Sequence, residues 1–296
     1  MNSEEILVGN NKETTLRDLQ LKSLEILVYF KEFCDKHDLQ FFLYGGTCIG
    51  AIRHQGFIPW DDDIDVVMPR EDYEKLGKIW NKYNTKKNYV YCRTDSKKNL
   101  KHPMTTIRDT QTTYVRDYQI DLDIIHSVRL DIISLDACPN SDIKRKIQLG
   151  WAFIFHLFNR EATSSTHFNF IGSVSSFILN IIKSPRKRYK IWDFAEKQMS
   201  KYPITNETEY LTDLLSIFRI MKLKYPKNCF ESAIYKDFEG HKMPVPIGYD
   251  EYLKIVFGDY MSLPSEEERQ PKHDALYINL NETYKKFKGI EYCIKK

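Results

Sequence analysis

No stretch of this chain stays apolar over the roughly 20 residues that a membrane-crossing helix needs, so none reads as a convincing span. The six cysteines include no C-x-x-C pair and the eight histidines no H-E-x-x-H, which disfavours zinc. Neither sign of charge dominates: 44 basic residues stand against 41 acidic ones, a net +3. That is far from the lopsided basic balance of a dedicated nucleic-acid binder, so no nucleic-acid partner is expected. The opening residues, MNSEEILVGNNKET, lack the basic-then-apolar layout of a signal peptide. A cytoplasmic location is therefore expected, with disulfides disfavoured and most cysteines in the core. No internal repeat appears.

What the chain does hold is the stretch from Phe41 to Met68, FFLYGGTCIGAIRHQGFIPWDDDIDVVM. Phe41 to Tyr44 suits a short buried strand, after which Gly45 and Gly46 let the backbone turn closely. Thr47 fits a helix start, and Ile49, Ala51 and Ile52 carry a short helix to about His54. Free N–H groups at the turn then suit a phosphate. Gly56 and Pro59 break the helix, and a second strand is predicted from about Asp63 to Met68, closed by Pro69. Alternation along it puts Asp61, Asp63 and Asp65 on one face, successive α-carbons roughly 6.6 Å apart. Acids set among Ile64, Val66 and Val67 call for a metal or a cationic partner. A pair of carboxylates suits Mg2+ (or Mn2+), which leaves its other positions to water and substrate phosphates.

The order strand, GG[ST], short helix, strand with D-x-D resembles the nucleotidyltransferase fold of the DNA polymerase β superfamily. The longer string, GGT followed by IGAIRHQGFIPWDDDID, is similar to the LicD family of phosphocholine transferases. Fukutin-type ribitol-phosphate transferases are related to that family. The resemblance implies an α/β (α+β) fold, a nucleotidyltransferase-like mixed sheet with flanking helices. It covers both ends of the chain and least the middle, which favours one domain over residues 1–296 with a variable helical insertion at about 140–200. It further implies a metal-dependent transfer of phosphocholine from CDP-choline to a sugar hydroxyl of a cell-surface glycan precursor, releasing CMP. That precursor would be of teichoic acid, capsule or lipopolysaccharide type.

Phosphoryl transfer needs positioned phosphates, neutralised charge and a group that orients the attacking hydroxyl. Asp63 and Asp65 are the candidate metal pair, and Gly45, Gly46 and Thr47 the cradle for a donor diphosphate. Asp131, inside the apolar strand VRLDIISLDACP, resembles the family's third acidic position; it either serves the acceptor hydroxyl or completes a second metal site. Arg53, next to His54, can reach phosphate oxygens or form a surface ion pair. Trp60 can face a quaternary ammonium or brace the aspartate strand. The motif acts on a diphosphate common to all such donors, so CDP-linked ribitol phosphate or glycerol phosphate remain alternatives. Two other classes stay open: a nucleotidyltransferase acting on RNA or a small molecule, and an inactive binding module on the same fold. The first should carry a basic track with stacking aromatics; the second should have lost a carboxylate.

Elsewhere, Thr15 and Asp18 read as a capping box before a helix whose apolar positions are Leu16, Leu19, Leu24, Leu27, Phe30 and Cys34. REDYEKLGKIWNKYN reads as a helix, and Tyr89 to Arg93, Met104 to Arg108 and Thr112 to Arg116 as strands. Asp136 is expected in a turn before Pro139. Asp121 and Asp123, with no GG[ST] before them, read as a strand end or solvated loop. IQLGWAFIFHLF and FNFIGSVSSFILNII lie between basic flanks (Lys144, Arg145, Lys146, then Lys183, Arg186, Lys187, Arg188, Lys190) and suit either core helices or an anionic membrane surface. FEGHKMPVP, a Gly-Asp-Tyr element at Gly258, and Arg269 with His273 also resemble the LicD pattern.

Overall fold

A computed structural model describes residues 6–7, 14–160, 178–269 and 275–294. Along the chain, β1 (Ile6–Leu7) pairs with β2 (Thr14–Thr15), and Thr15 then caps α1 (Leu16–His37). The capping box is formed reciprocally by Thr15 and Asp18, and Asp38 ends the helix in the left-handed conformation. Next come β3 (Phe42–Leu43), α2 (Gly45–Ile49), which runs on as a π-helical turn over Gly50–His54, β4 (Asp65–Pro69) and α3 (Arg70–Tyr83). They are followed by β5 (Tyr89–Cys92), β6 (Thr105–Asp109), β7 (Thr113–Arg116), β8 (Arg129–Cys138) and α4 (Asp142–Arg160). The rest comprises α5 (Pro185–Met199), β9 (Tyr210–Asp213), α6 (Phe218–Met221), β10 (Tyr225–Pro226), β11 (Ala233–Phe238), β12 (His241–Pro246), α7 (Tyr249–Phe257) and β13 (Ala275–Asn279).

Two compact units divide these elements. The first takes residues 1–92, 106–133 and 228–296. In it β3 pairs antiparallel with β4, β4 neighbours β8, and β6 lies between β8 and β5. The apolar stripe of α1 packs on Phe41, just before β3, and on Trp80 of α3: Phe30 meets Phe41 at 5.1 Å and Phe33 meets Trp80 at 4.5 Å, ring centre to ring centre. Burying that stripe, rather than intrinsic propensity, holds a helix of this kind. β11 and β12 form a hairpin turned by Glu239 and Gly240, both at positive φ, and β13 pairs with β7.

The second unit takes residues 93–105 and 134–227. There the end of β8 pairs with β9, and β9 with β10. Buried Arg145 of α4 donates to Thr212 Oγ1 at 2.9 Å and to the Met221 carbonyl, while Gln148 donates to the carbonyls of Ala137 and Met199. These bonds satisfy backbone carbonyls that would otherwise be buried unpaired.

The mixed α/β architecture is the one expected, with two local corrections. β4 begins at Asp65, two residues later than predicted, so Asp61 and Asp63 precede the strand. Asp136 is not in a turn: it is buried within β8, because pairing with Thr212 carries the strand on to Cys138 and Pro139 ends it only there. The first apolar stretch lies in α4; the second falls outside the described residues as far as 177, as does His273. Among the described residues, no helix is long and apolar enough to cross a membrane.

Candidate active site

The first unit gathers the candidate residues where β3 turns into α2. Gly45 takes a φ of 53°, a conformation in which a side chain would be strained, and a β-carbon there would stand 3.8 Å from Asp65 Oδ2. Gly45 donates its N–H to the Tyr252 hydroxyl at 3.0 Å, and the Tyr44 ring stacks on Tyr252. Thr47 Oγ1 accepts the Asp65 N–H at 2.9 Å, and Tyr44 donates to the Asp65 carbonyl at 3.0 Å. The turn and the first residue of β4 are thus fastened to each other. From α1, the buried Gln20 amide donates to the Asp61 carbonyl at 2.8 Å, which fixes the segment ahead of β4.

Asp61, Asp62 and Asp63 each offer a carboxylate oxygen within 4.8 Å of the others, a spacing that can hold a metal ion. Asp62 also accepts the Tyr114 hydroxyl at 3.0 Å. Burial, then the charges of Asp63 and Asp62, push Asp61 up to about 8. Burial also pushes Asp63 up to about 6, aided by Asp62 and Asp131 and opposed by Arg116 and Arg129. Asp65 rises well above the usual range for the same cause, with Asp63, Asp131 and Asp61 adding to it. Asp131, on β8, donates its N–H to the Ile64 carbonyl, and Arg129 grips its carboxylate at 2.8 and 3.0 Å. Asp61, Asp62 and Asp63 thus offer clustered hard oxygens, the chemistry that suits Mg2+ or Mn2+, while Asp65 and Asp131 add charge beside them.

The family described as LicD/FKTN/FKRP, nucleotidyltransferase domain, matches residues 38–127. A lipopolysaccharide cholinephosphotransferase, LicD, of Haemophilus influenzae is 32% identical over 273 residues, spanning 88% of this chain and 97% of that protein. An uncharacterized protein of Rickettsia prowazekii is 42% identical over 48 residues, 16% of this chain and 18% of its own. Another, of Rickettsia typhi, is 34% identical over 107 residues, 29% and 33% of the two chains. The chain belongs to the LicD family.

The LicD match spans every expected site residue except Asp131, which lies beyond it on β8. Asp65 lies against Gly45 and Thr47 and Asp61 against Gly46, while Asp63 lies beside Asp61 and Asp62. Arg53 is turned elsewhere: its Nη1 donates to the carbonyls of Tyr260 and Ser262 and its Nε to His54 Nε2. It thereby fastens the Gly-Asp-Tyr element after α7. His54 is lowered by burial and by Arg53. Trp60 meets His54 edge-on and carries the Arg269 guanidinium over its ring at 5.9 Å. Asp121 and Asp123 are exposed, with Asp123 paired to Lys288 at 2.7 Å.

Sequence reasoning singled out neither Asp61 as a participant nor Arg129, Arg116, Gln20 or Tyr252. A signal existed for two of them. Asp61 opens the DDDID run, and Arg129 stands two residues before Asp131, hence on the same strand face. Tyr252 and Gln20 lie far from the motif in sequence and carry no local mark.

Proposed function

We propose that this LicD-type transferase moves phosphocholine from CDP-choline to a sugar hydroxyl of a cell-surface glycan precursor, releasing CMP. The observation that carries the reading is the placement of Asp61 against Gly46 and of Asp65 against Gly45 and Thr47, with Asp63 coupled to both by charge. Asp61 and Asp63, with Asp65 beside them, would hold Mg2+ or Mn2+, which supplies Lewis-acid neutralisation of the developing phosphate charge. The Gly46 and Thr47 end of the turn receives the diphosphate; the Gly45 N–H serves Tyr252 instead. Asp131, kept in place by Arg129, orients the acceptor hydroxyl for attack on the phosphorus. Trp60 already faces a guanidinium cation, the same type of contact that a trimethylammonium group makes.

The acceptor is a glycan or lipid-linked glycan, of the lipopolysaccharide kind named for the Haemophilus relative. Exposed apolar residues on α4 and α5, set among lysines, support attachment at the inner face of the cytoplasmic membrane. The test is product mass spectrometry after incubation with Mg2+, a glycan acceptor and CDP-choline, CDP-ribitol or CDP-glycerol in parallel. Phosphocholine-modified acceptor with CMP is the expected outcome. Transfer from a polyol donor alone would replace choline as the head group, and nucleotide addition to an acceptor would replace the reaction class.

A further inference from the structure

The FEGHKMPVP element lies outside the acid cluster, yet its Glu239 reaches the loop that leads into it. At the turn of the β11–β12 hairpin, Glu239 donates its N–H to the Gln55 carbonyl at 2.9 Å, and its Oε1 accepts the Phe57 N–H at 3.1 Å. The preceding Phe238 packs its buried ring on that of Phe57 at 4.9 Å. Gly56 makes room for the carboxylate: a β-carbon there would stand 2.3 Å from Glu239 Oε1. Gln55 itself is held at a φ of 56°, uncommon for a residue with a side chain, as the chain leaves the π-helical turn.

Arg17 of α1 carries the link further. Its Nη1 donates to Glu239 Oε1 at 3.0 Å and to Gln20 Oε1 at 3.3 Å, and its Nη2 pairs with Glu239 Oε2. Gln20 in turn donates to the carbonyls of Ile58 at 3.4 Å and Asp61 at 2.8 Å, and the Asp61 N–H closes a turn onto the Ile58 carbonyl. An exposed ion pair alone contributes little to stability. Here the glutamate oxygen that meets Arg17 also accepts a backbone N–H just ahead of Asp61, so the pair fixes a course of chain. We propose that Glu239 is a positioning residue: with Arg17 and Gln20 it braces the segment from Gln55 to Asp61, and so keeps the Asp61, Asp62 and Asp63 carboxylates at the spacing one divalent cation needs. Groups that orient metal ligands from behind contribute about ten- to a hundredfold to metal affinity. The proposal rests on the metal-site reading, and deepens it by naming what holds the acids in place.

The test uses the full chain and Mn2+ alone, its binding followed by electron paramagnetic resonance at a temperature where circular dichroism shows each variant folded. Glu239→Ala should weaken Mn2+ binding roughly tenfold. Glu239→Gln keeps an oxygen for the Phe57 N–H and should stay within about threefold of wild type. Gly56→Ala retains Glu239 but displaces its carboxylate, the far end of a flexible side chain. It should reproduce the Glu239→Ala loss, and it carries the test if that variant does not fold. Affinity within about twofold of wild type in Gly56→Ala and in folded Glu239→Ala would overturn the positioning role. So would a loss in Glu239→Gln equal to that in Glu239→Ala. If wild type itself binds no Mn2+, the metal-site reading falls and the positioning role with it; binding by wild type that the variants leave unchanged removes the positioning role alone.

Discussion

Asp61 Oδ2 lies 2.7 Å from the position that a β-carbon on Gly46 would occupy. Only a glycine admits that carboxylate over the start of α2, and so ties the acidic run to the turn. In Gly46→Ala the obstructed group is the end of a side chain, which can swing away without moving backbone. The fold should survive, judged by circular dichroism, while Mg2+ affinity falls roughly tenfold because one carboxylate leaves the set. Unchanged affinity by calorimetry would remove Asp61 from the metal site.

Asp63 stands between Asp61 and Asp65 in sequence and is coupled by charge to Asp62 and Asp131. Metal stabilisation of transition-state charge is worth several kcal/mol, and each ~1.4 kcal/mol is a factor of ten. Asp63→Asn should therefore slow transfer more than roughly a hundredfold with the fold intact. A variant that keeps more than about a tenth of its activity would show that Asp63 holds no catalytic metal.

The acid cluster also sets a pH dependence. Without metal, the folded chain keeps protons on Asp61 up to about 8 and on Asp63 up to about 6, whereas ordinary aspartates near 3.8 have released them. The folded state then binds more protons than the unfolded one, so stability falls as pH rises through that window. Lowered His156 and His54 work in the opposite direction, but below their ordinary 6.5. Between pH 6.5 and 8 the melting temperature of metal-free protein should therefore drop, and Mg2+ should cancel the drop by taking the protons' place. A flat melting temperature without metal would mean that Asp61 is ionised throughout.

How much of this was legible beforehand follows the range of the forces involved. The capping box at Thr15, the apolar stripe of α1 and the Gly45–Gly46 turn are local patterns, and each appears where its residues predict. The start of β4 was misplaced because alternation of Asp61, Asp63 and Asp65 mimics a strand, while Gln20 pins the Asp61 carbonyl from another helix. Asp136 read as a turn residue because the Thr212 pairing that keeps it in a strand comes from 76 residues further on in sequence. Arg53 read as reaching phosphate oxygens or forming a surface ion pair; its bond to the Tyr260 carbonyl was not legible, since that residue lies 207 positions further on.

Asp131 separates two readings of the site. If it orients the acceptor hydroxyl, Asp131→Asn should lower the transfer rate at saturating donor with CDP-choline binding nearly unchanged. Calorimetry of CDP-choline with Mg2+ alongside steady-state rates distinguishes the cases. Donor binding weakened as strongly as transfer is slowed would place Asp131 among the metal ligands instead.

The last prediction concerns α4 and α5. Ile143 and Ile147 on α4 are 72% and 48% exposed, and Phe194 on α5 is 51% exposed. Trp151 meets Phe194 edge-on at 5.3 Å, so the stripe of Ile143, Ile147 and Trp151 lies beside that of Lys187, Lys190 and Phe194. Lys144, Lys146, Lys187 and Lys190 are all exposed around this joint face. Arg188 is not part of it, since it donates to the carbonyls of Leu179 and Ile182. Each lysine near an anionic leaflet adds about 1 kcal/mol, and apolar side chains entering the interface add about 25 cal/mol per Å2. Reversible attachment follows without a spanning helix. In co-sedimentation with phosphatidylserine-containing vesicles, wild type should pellet at low salt and be released as salt rises, with little binding to neutral vesicles. Replacing Lys144, Lys187 and Lys190 by Gln should cut recovery on anionic vesicles about tenfold or more, given the summed loss of roughly 3 kcal/mol before screening. Ile147→Ser with Phe194→Ser should weaken binding at high salt as well, where only the apolar contribution is left. Equal supernatant recovery for wild type and both variants on anionic vesicles at low salt would rule out the membrane face.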